Sequence, residues 1–521
     1  MIFIDETAEN YKSNFLIFMN HRFFYPLKLC GILILIIGFP LSSPAEAQPA
    51  RQVDDTLSQT LNLKQAIQIA LANNTQMKRA LLSIRDADEQ VRIAWSNVMP
   101  DIAASANYTR NLEVPVNFIP AVIFNPDADQ DELVPVAFGT DNNWQGGFSV
   151  SQTIFSGQAF VGISSSEVYK AAQSESLRAT SQGIVTQTRV TYHQVLIAKE
   201  QVKLIQAQIQ RIRETLEDTR IRFEEGFVDD YAVLQLEVQL GNLKPQLTTA
   251  QFAIDTAKRE LLDILGLPLH LPIDVEGNLS NLNIYSSSAE SPENRSLKKI
   301  DKSVPIQLEK DSLIINQAFD LRGDLRVLDV QQQLQDRQLK AQQSQYLPSL
   351  SANYNLQWTA SQPGTPQFFG TEDQRARSQT IMLNLQIPIF QGFSRDANIQ
   401  RTKIQLKDLE LQENQTRRTA QKEILSAQQS IEQAFETLEA QKKVLEQARR
   451  GYERAEARYQ NGVGTQQELT DADLQLRQAE NSYAQTVFSY LNAKAQYDQA
   501  LGLVPFVGQQ VNDIQNKIEL N

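Results

Sequence analysis

Cysteine is almost absent from this chain, and histidine nearly so. The 521 residues hold one Cys, Cys30, and three His. Without further cysteines there is no disulfide framework and no Cys/His metal cluster to write. An excess of basic residues is lacking too. The formal net charge is -12, which argues against nucleic-acid partners, since those call for a basic face. Proline is missing from residues 160–224 and 395–459, although the chain has 19 in all. No phosphate loop or nucleophile elbow is present. Gly462-Val463-Gly464 is too short for a dinucleotide loop and follows no strand. His193 and His270 are isolated, and His193 is expected on a helix surface or tunnel wall. No catalytic constellation, cofactor site or metal site is therefore expected, and the chain reads as a non-enzyme.

What is there begins with a leader. Arg22 and Lys28 precede the apolar run Leu29–Phe39, and Ala45-Glu46-Ala47 follows. A basic start, a short apolar run and a small-x-small site make a cleaved secretory signal over residues 1–47. The run is too short to span a bilayer, which takes ~20 residues. Met19 is an alternative start, because the first 18 residues carry an acidic stretch that such signals lack. Cys30 sits at the front of the run, not just after it, so lipidation is not expected.

The rest of the chain is written twice. "MPDIAASANYT" resembles "LPSLSANYNLQ", with Pro100 matching Pro348. "FSVSQTIFSG" resembles "LNLQIPIFQG", with Phe155 matching Phe390. "RFEEGFVDDYAVLQLEVQL" resembles "RYQNGVGTQQELTDADLQL", with Gly226 matching Gly462. "LLDILGLP" resembles "YDQALGLVP", with Gly266 matching Gly502. The offsets are 248, 235, 236 and 236, one order with one insertion, in the loop 111–141. The predicted organisation is a first repeat over 48–268, a connector over 269–318 with a short strand near Ile273–Val275, a second repeat over 319–504, and a tail over 505–521.

Each repeat carries two strands. Strands are predicted over about 100–113, 142–156, 348–359 and 378–391. In the third, Leu350, Ala352, Tyr354, Leu356 and Trp358 alternate with Ser351, Asn353, Asn355 and Gln357. In the fourth, Ile381, Leu383, Leu385, Ile387 and Ile389 alternate with Met382, Asn384 and Gln386. Period-2 alternation sets one group on each face. The polar group is uncharged, and each segment has the ten-residue length of a tilted membrane strand. Tyr108, Trp144, Phe155, Trp358 and Phe390 sit near strand ends, as interfacial aromatics do. A sheet in lipid must close, and four strands are too few for a barrel. Several copies must share one. Two copies would supply eight strands and three would supply twelve.

The proline-free runs, 160–224 and 395–459, are predicted as single helices roughly 97 Å long. Ile424, Ile431, Leu438, Leu445, Tyr452 and Tyr459 fall seven apart, as do Val195, Val202, Ile209, Leu216 and Phe223. Ala427, Ala434, Ala448 and Ala455 in one series, and Ala198, Ile205 and Ile212 in the other, add the +3 position. This is a narrow coiled-coil seam, and much of each helix surface is expected to stay wet. Shorter helices over 63–98 and 230–265, then 319–346 and 466–501, accompany them. The fold class is mainly α, with a long antiparallel coiled-coil helical tunnel and a shared β-barrel.

From about residue 60 to 505 the chain resembles the TolC family of outer-membrane efflux proteins. "LNLKQAIQIALANNTQMKRA", "MPDIAASANYT", "SVSQTIFSGQ", "RYQNGVGTQQELTDADLQL" and "ALGL" carry the likeness. The resemblance implies a homotrimer, four strands per protomer in a twelve-stranded membrane β-barrel, and a periplasmic helical tunnel below it. The function it implies is an exit duct of a tripartite efflux or type I secretion system. A periplasmic adaptor and an inner-membrane pump, of RND or ABC type, would be its partners. Adaptor docking is expected at the two helix-turn-helix tips, around Gly226 and Phe227, and around Gly462, Val463, Gly464 and Thr465. A constriction is sought in Asp229, Asp230, Gln466, Thr470, Asp471 and Asp473. Thr470 and Gln466 replace the family's usual aspartate and arginine, so the family's latch is not carried over whole. Asp473 reads either as a lumen-facing carboxylate or as a helix-end charge. Asp229 and Asp230 fit dipole complementation at a helix N-terminus. Ser351, Asn353, Asn355 and Gln357 would line a barrel lumen, with the apolar face toward lipid. The rival reading is a structural envelope fibre or adhesin, coiled-coil and barrel-anchored.

Overall fold

The computed structural model describes residues 59–124, 129, 131, 133–279 and 308–504. The expected signal over 1–47, most of the connector and the tail over 505–521 lie outside the described residues. All elements below belong to one compact unit, Leu57–Asn521.

The described chain opens with β1 (Gln59–Leu61), α1 (Leu63–Asn73) and α2 (Thr75–Ser96). Strands β2 (Asp101–Arg110), β3 (Val116–Pro120), β4 (Leu133–Ala137) and β5 (Asn142–Phe155) follow. Then come the 68-residue α3 (Gly157–Glu224), α4 (Asp230–Leu265) and β6 (Ile273–Val275). The chain continues through α5 (Leu308–Leu321), α6 (Gly323–Ser344), β7 (Ser349–Gln362), β8 (Arg375–Gln386), the 67-residue α7 (Ser394–Gln460) and α8 (Gln466–Ala500). None of the described helices is long and apolar enough to cross a membrane.

The helix predicted over 63–98 is two helices, and so is the one predicted from 319. Asn74 turns the backbone out at ψ 135°, and its side chain accepts from the Gln76 and Met77 amides. That is an N-cap, which satisfies two of the donors a helix start leaves orphaned. Arg322 makes the matching break at ψ 119°. The second break lies past the start of α5, so helix begins at Leu308, inside the predicted connector. Each break is pressed by the glycine that ends its repeat. A Cβ on Gly266 would lie 2.4 Å from the Asn73 carbonyl oxygen, and one on Gly502 would lie 2.8 Å from the Leu321 carbonyl carbon. Both glycines also have positive φ, where a side chain is strained. This is why "LGL" recurs.

The heptad residues pack as their spacing predicts. Ile424, Ile431, Leu438, Tyr452 and Tyr459 are buried, as are Val195, Ile209, Ile212 and Leu216. Phe223 departs from the series and is exposed near the end of α3. The expectation that much of each helix surface stays wet does not extend to the middle of α3. Over its whole length α3 packs against α1, α2, α4, α6 and α8. Ser181, Gln182, Thr186, Thr188, Arg189, Thr191, His193 and Glu200 are buried there. His193, expected at a surface, is one of them. Its pKa falls to about 3, chiefly because burial penalises the charged ring and secondarily because Arg189 lies close. Arg189 itself is paired with Asp498 at 2.8 Å, deep between α3 and α8. Five neighbours close around one helix, so its polar side chains must find partners inside.

The four strands β2, β5, β7 and β8 form one antiparallel sheet in the order β2-β5-β7-β8. The strand β8 ends at Gln386, so Ile387 and Ile389 do not continue it. Pro388 gives the reason: it has no N–H for the ladder. The loop 111–141 contains its own hairpin, β3 with β4. The short β1 and β6 pair in parallel, and the Tyr192 hydroxyl donates to the Leu61 carbonyl beside them.

Candidate functional site

Register decides what the sheet presents. Ile102, Val150, Tyr354 and Ile381 align across the four strands, and Ala104, Phe148, Leu356 and Gln379 form the next row. One residue along, Ala103, Ser149, Asn355 and Thr380 align on the opposite face, followed by Ser105, Gly147, Gln357 and Ser378. Four separate alternations are thus in phase. Ser351, Asn353, Asn355 and Gln357 all lie on the polar face, alongside Thr153, Ser151, Asn384 and Met382. The apolar face is open, with Ile381 78% and Leu383 70% exposed. Gly147 lies against β7, where a Cβ would come 2.4 Å from the Leu356 carbonyl oxygen. Aromatic pairs mark both ends of the sheet. Tyr108 and Trp144 stack at 4.3 Å at the loop end, and Phe155 with Phe160 and Phe390 with Phe393 sit at the helix end.

At the other end of the long helices, α3 turns into α4 and α7 into α8 through matched turns. Gly226 and Gly462 take φ of 78° and 73°. The Phe227 amide donates to the Arg222 carbonyl, and the Val463 amide to the Arg458 carbonyl. These are Schellman closures, which use glycine's left-handed conformation to satisfy the last carbonyls. Phe227 and Val463 stand exposed beside them. Asp229 caps α4 by accepting from the Ala232 amide, and Asp230 occupies the first turn. Thr465 does the same for α8 with the Glu468 amide. Gln466 donates to the Ala232 carbonyl at 2.9 Å and so joins the two turns. Asp471 accepts from Gln467 on its own helix.

The structure brings Asp473 and Thr470 together with residues the sequence did not mark. Arg211 of α3 donates to Asp473 at 2.8 Å and reaches Glu480 at 3.4 Å, both on α8. Its guanidinium lies 5.7 Å from the centre of the Tyr452 ring, on α7. Burial alone would lower the Arg211 pKa; Asp473 and Glu480 more than offset this and hold it above its usual value. Burial raises the Glu480 carboxyl, and Arg211 pulls it part of the way back. Thr470, with Thr215, Leu236 and Gln239, lines the small cavity next to this cluster. Nearer the turns, the Tyr459 hydroxyl meets Thr219 at 2.7 Å, and Arg222 lies over the Tyr459 ring. The signal for these residues was the pair of tyrosines in a seam otherwise built of Leu, Ile and Ala. A buried hydroxyl needs a partner, and here the partners include the other helical pair.

A sequence profile describing outer membrane efflux proteins matches residues 66–267 and 314–503. The chain belongs to that family. Membership places this efflux protein in the outer membrane. It is 22% identical over 371 residues to outer membrane protein TolC of Salmonella enteritidis, covering 70% of this chain and 64% of that one. It is 24% identical over 212 residues to the alkaline protease secretion protein AprF of Pseudomonas aeruginosa, covering 40% and 42%. The chain therefore spans less than two thirds of the curated relatives it matches. Its fold is similar to that of the CmeC outer membrane channel of Campylobacter jejuni, with a TM-score of 0.65 at 18% identity over 87% of this chain and 88% of that one.

Proposed function

We propose that this efflux protein is a passive exit duct, a homotrimer whose three sheets close into one twelve-stranded barrel. The observation that carries this is the in-phase sheet. It offers one apolar face, one polar face whose single charge is Asp101 at the helix end, and two outer strands, β2 and β8, that have one neighbour each among the described residues. Open edges cannot stand in lipid, where every backbone donor and acceptor must be paired within protein. Copies of the same chain supply the missing neighbours. The apolar rows then meet acyl chains. Ser351, Asn353, Asn355 and Gln357 line water, and Asp101 at the helix end is the one fixed charge the four strands set on that face.

The two repeats continue from the sheet as a helical tunnel, and the turns at Gly226 and Gly462 form its far end. Phe227, Val463, Gly464 and Thr465 are the contacts for a periplasmic adaptor, with an inner-membrane pump of RND or ABC type supplying the energy. Asp229, Asp230, Gln466, Thr470, Asp471 and Asp473 surround the aperture. The cluster of Arg211, Asp473, Glu480 and Tyr452 holds the α3/α4 pair to the α7/α8 pair, so its release would let the aperture widen. The chain performs no catalysis; it conducts.

Planar-bilayer recording of the purified protein tests this. Stepwise conductance from a trimeric species is expected, small at rest and larger once the tip contacts are cut. An absence of current in both the intact protein and the tip-released variants would refute the duct.

A further inference from the structure

The four strands of the sheet carry three cations, and all three occupy one place. Arg110, Arg375 and Arg377 belong to the apolar face at the loop end. Arg375 lies in the row of Tyr108, Trp144 and Ala360, and Arg377 in the row of Ala106, Gly146 and Trp358. Arg110 stands one row further out, opposite Asn142. The only acid of the four strands, Asp101, is on the polar face at the other end. Among the described residues, neither Arg110 nor Arg377 makes an ion pair; Arg377 lies 5.9 Å from the centre of the Trp358 ring. Arg375 is partly committed, donating to the Phe369 and Gly370 carbonyls. Those bonds hold Phe369 at a φ of 58° with its ring over Gly146.

Charge on a lipid-directed surface is costly unless it reaches the headgroups and meets counter-charge. Guanidinium matches phosphate geometry with paired donors, more specifically than an ammonium does. In the closed ring proposed above, β8 of one copy lies beside β2 of the next, which sets the partner subunit's Arg110 alongside Arg377 and Arg375. We infer that each seam between protomers holds the phosphorylated headgroup of an outer-leaflet lipid. Arg377 and the partner subunit's Arg110 are its ligands, the Trp358 and Trp144 rings lie beside it, and Leu356 and Ile381 lie below for the acyl chains. The inference rests on the barrel reading, because each site takes one arginine from either side of the seam.

The test is native mass spectrometry of the full-length protein with added lipid A, its dephosphorylated form, or inorganic phosphate. Bilayer conductance is recorded from the same preparations. Wild type is expected to retain up to three lipid A molecules per trimer. R377Q and R110Q are each expected to weaken retention about tenfold, the loss of one charge-assisted contact, with conductance unchanged. Neither variant removes a bond within the described protein, so both should fold. Equal retention by the double variant overturns the inference, as does equal retention of the dephosphorylated lipid. Displacement by inorganic phosphate at concentrations matching lipid A would assign the arginines to a free anion and overturn the lipid site. A pore that conducts but binds no lipid sinks this inference alone; a protein that forms no trimeric pore sinks it together with the duct.

Discussion

Arg211 on α3 and Asp473 on α8 form an ion pair at 2.8 Å across 262 residues of sequence, with side-chain exposures of 17% and 15%. It links the two helical pairs near their turns, and Glu480 shares the same guanidinium.

Cutting that pair should loosen the tip. Arg211→Ala and Asp473→Asn are each expected to cost about 1–3 kcal/mol, since a partly buried charge loses its partner. A double-mutant cycle should show coupling between them. Both variants should raise single-channel conductance. Arg211→Ala also removes the main group that lowers the Glu480 pKa, leaving burial and then Asp473 to raise it against Arg449 alone. A carboxyl with a raised folded-state pKa is least unfavourable when protonated, so the variant's stability deficit should shrink as pH falls through that raised value. A deficit that does not shrink on acidification toward the ordinary carboxylate range would contradict this linkage.

Gly266→Ala and Gly502→Ala should destabilise more than Gly462→Ala. All three positions have positive φ, which costs about 1 kcal/mol for a side chain. The first two also drive a Cβ into the helix breaks at Asn73 and Leu321, whereas nothing lies within 4 Å at Gly462. Thermal unfolding should rank them so.

His193 should make the fold acid-sensitive. The folded pKa is about 3, against an ordinary value of 6.5. The unfolded chain therefore takes up a proton below 6.5 while the folded one does not. Stability is whole above that value and falls as pH drops toward the folded pKa, by up to about 1.4 kcal/mol per pH unit. His193→Gln should flatten the decline of melting temperature between pH 6.5 and 4.

Thr380 and Ile381 are neighbours on opposite faces of β8. Ile381→Arg should impair insertion into vesicles, since arginine at mid-membrane costs about 2–4 kcal/mol. Thr380→Arg should insert normally and shift the conductance toward anions. If the two variants behave alike, the sheet has no lipid face.

Much of this protein was decided by residue order alone. Alternation in four short segments fixed which side chains share a face, because a strand's period is two. Heptads at Ile424 to Tyr459 fixed the seam, because a helix shows one stripe to its neighbour. Tertiary structure decided what those periods cannot encode. The phase between strands came from register, which is a property of pairs. Asn74 and Arg322 break their helices where Gly266 and Gly502 press in from the ends of their repeats, and no local pattern carries that contact. The middle of α3 looks like a wet coiled coil in sequence, yet that helix packs against five others along its length and His193 and Arg189 are interior. Arg211 was unremarkable among the other basic residues of its helix until folding set α8 beside it. Local periodicity specifies each element and its faces; only the assembled neighbours determine which charge meets which.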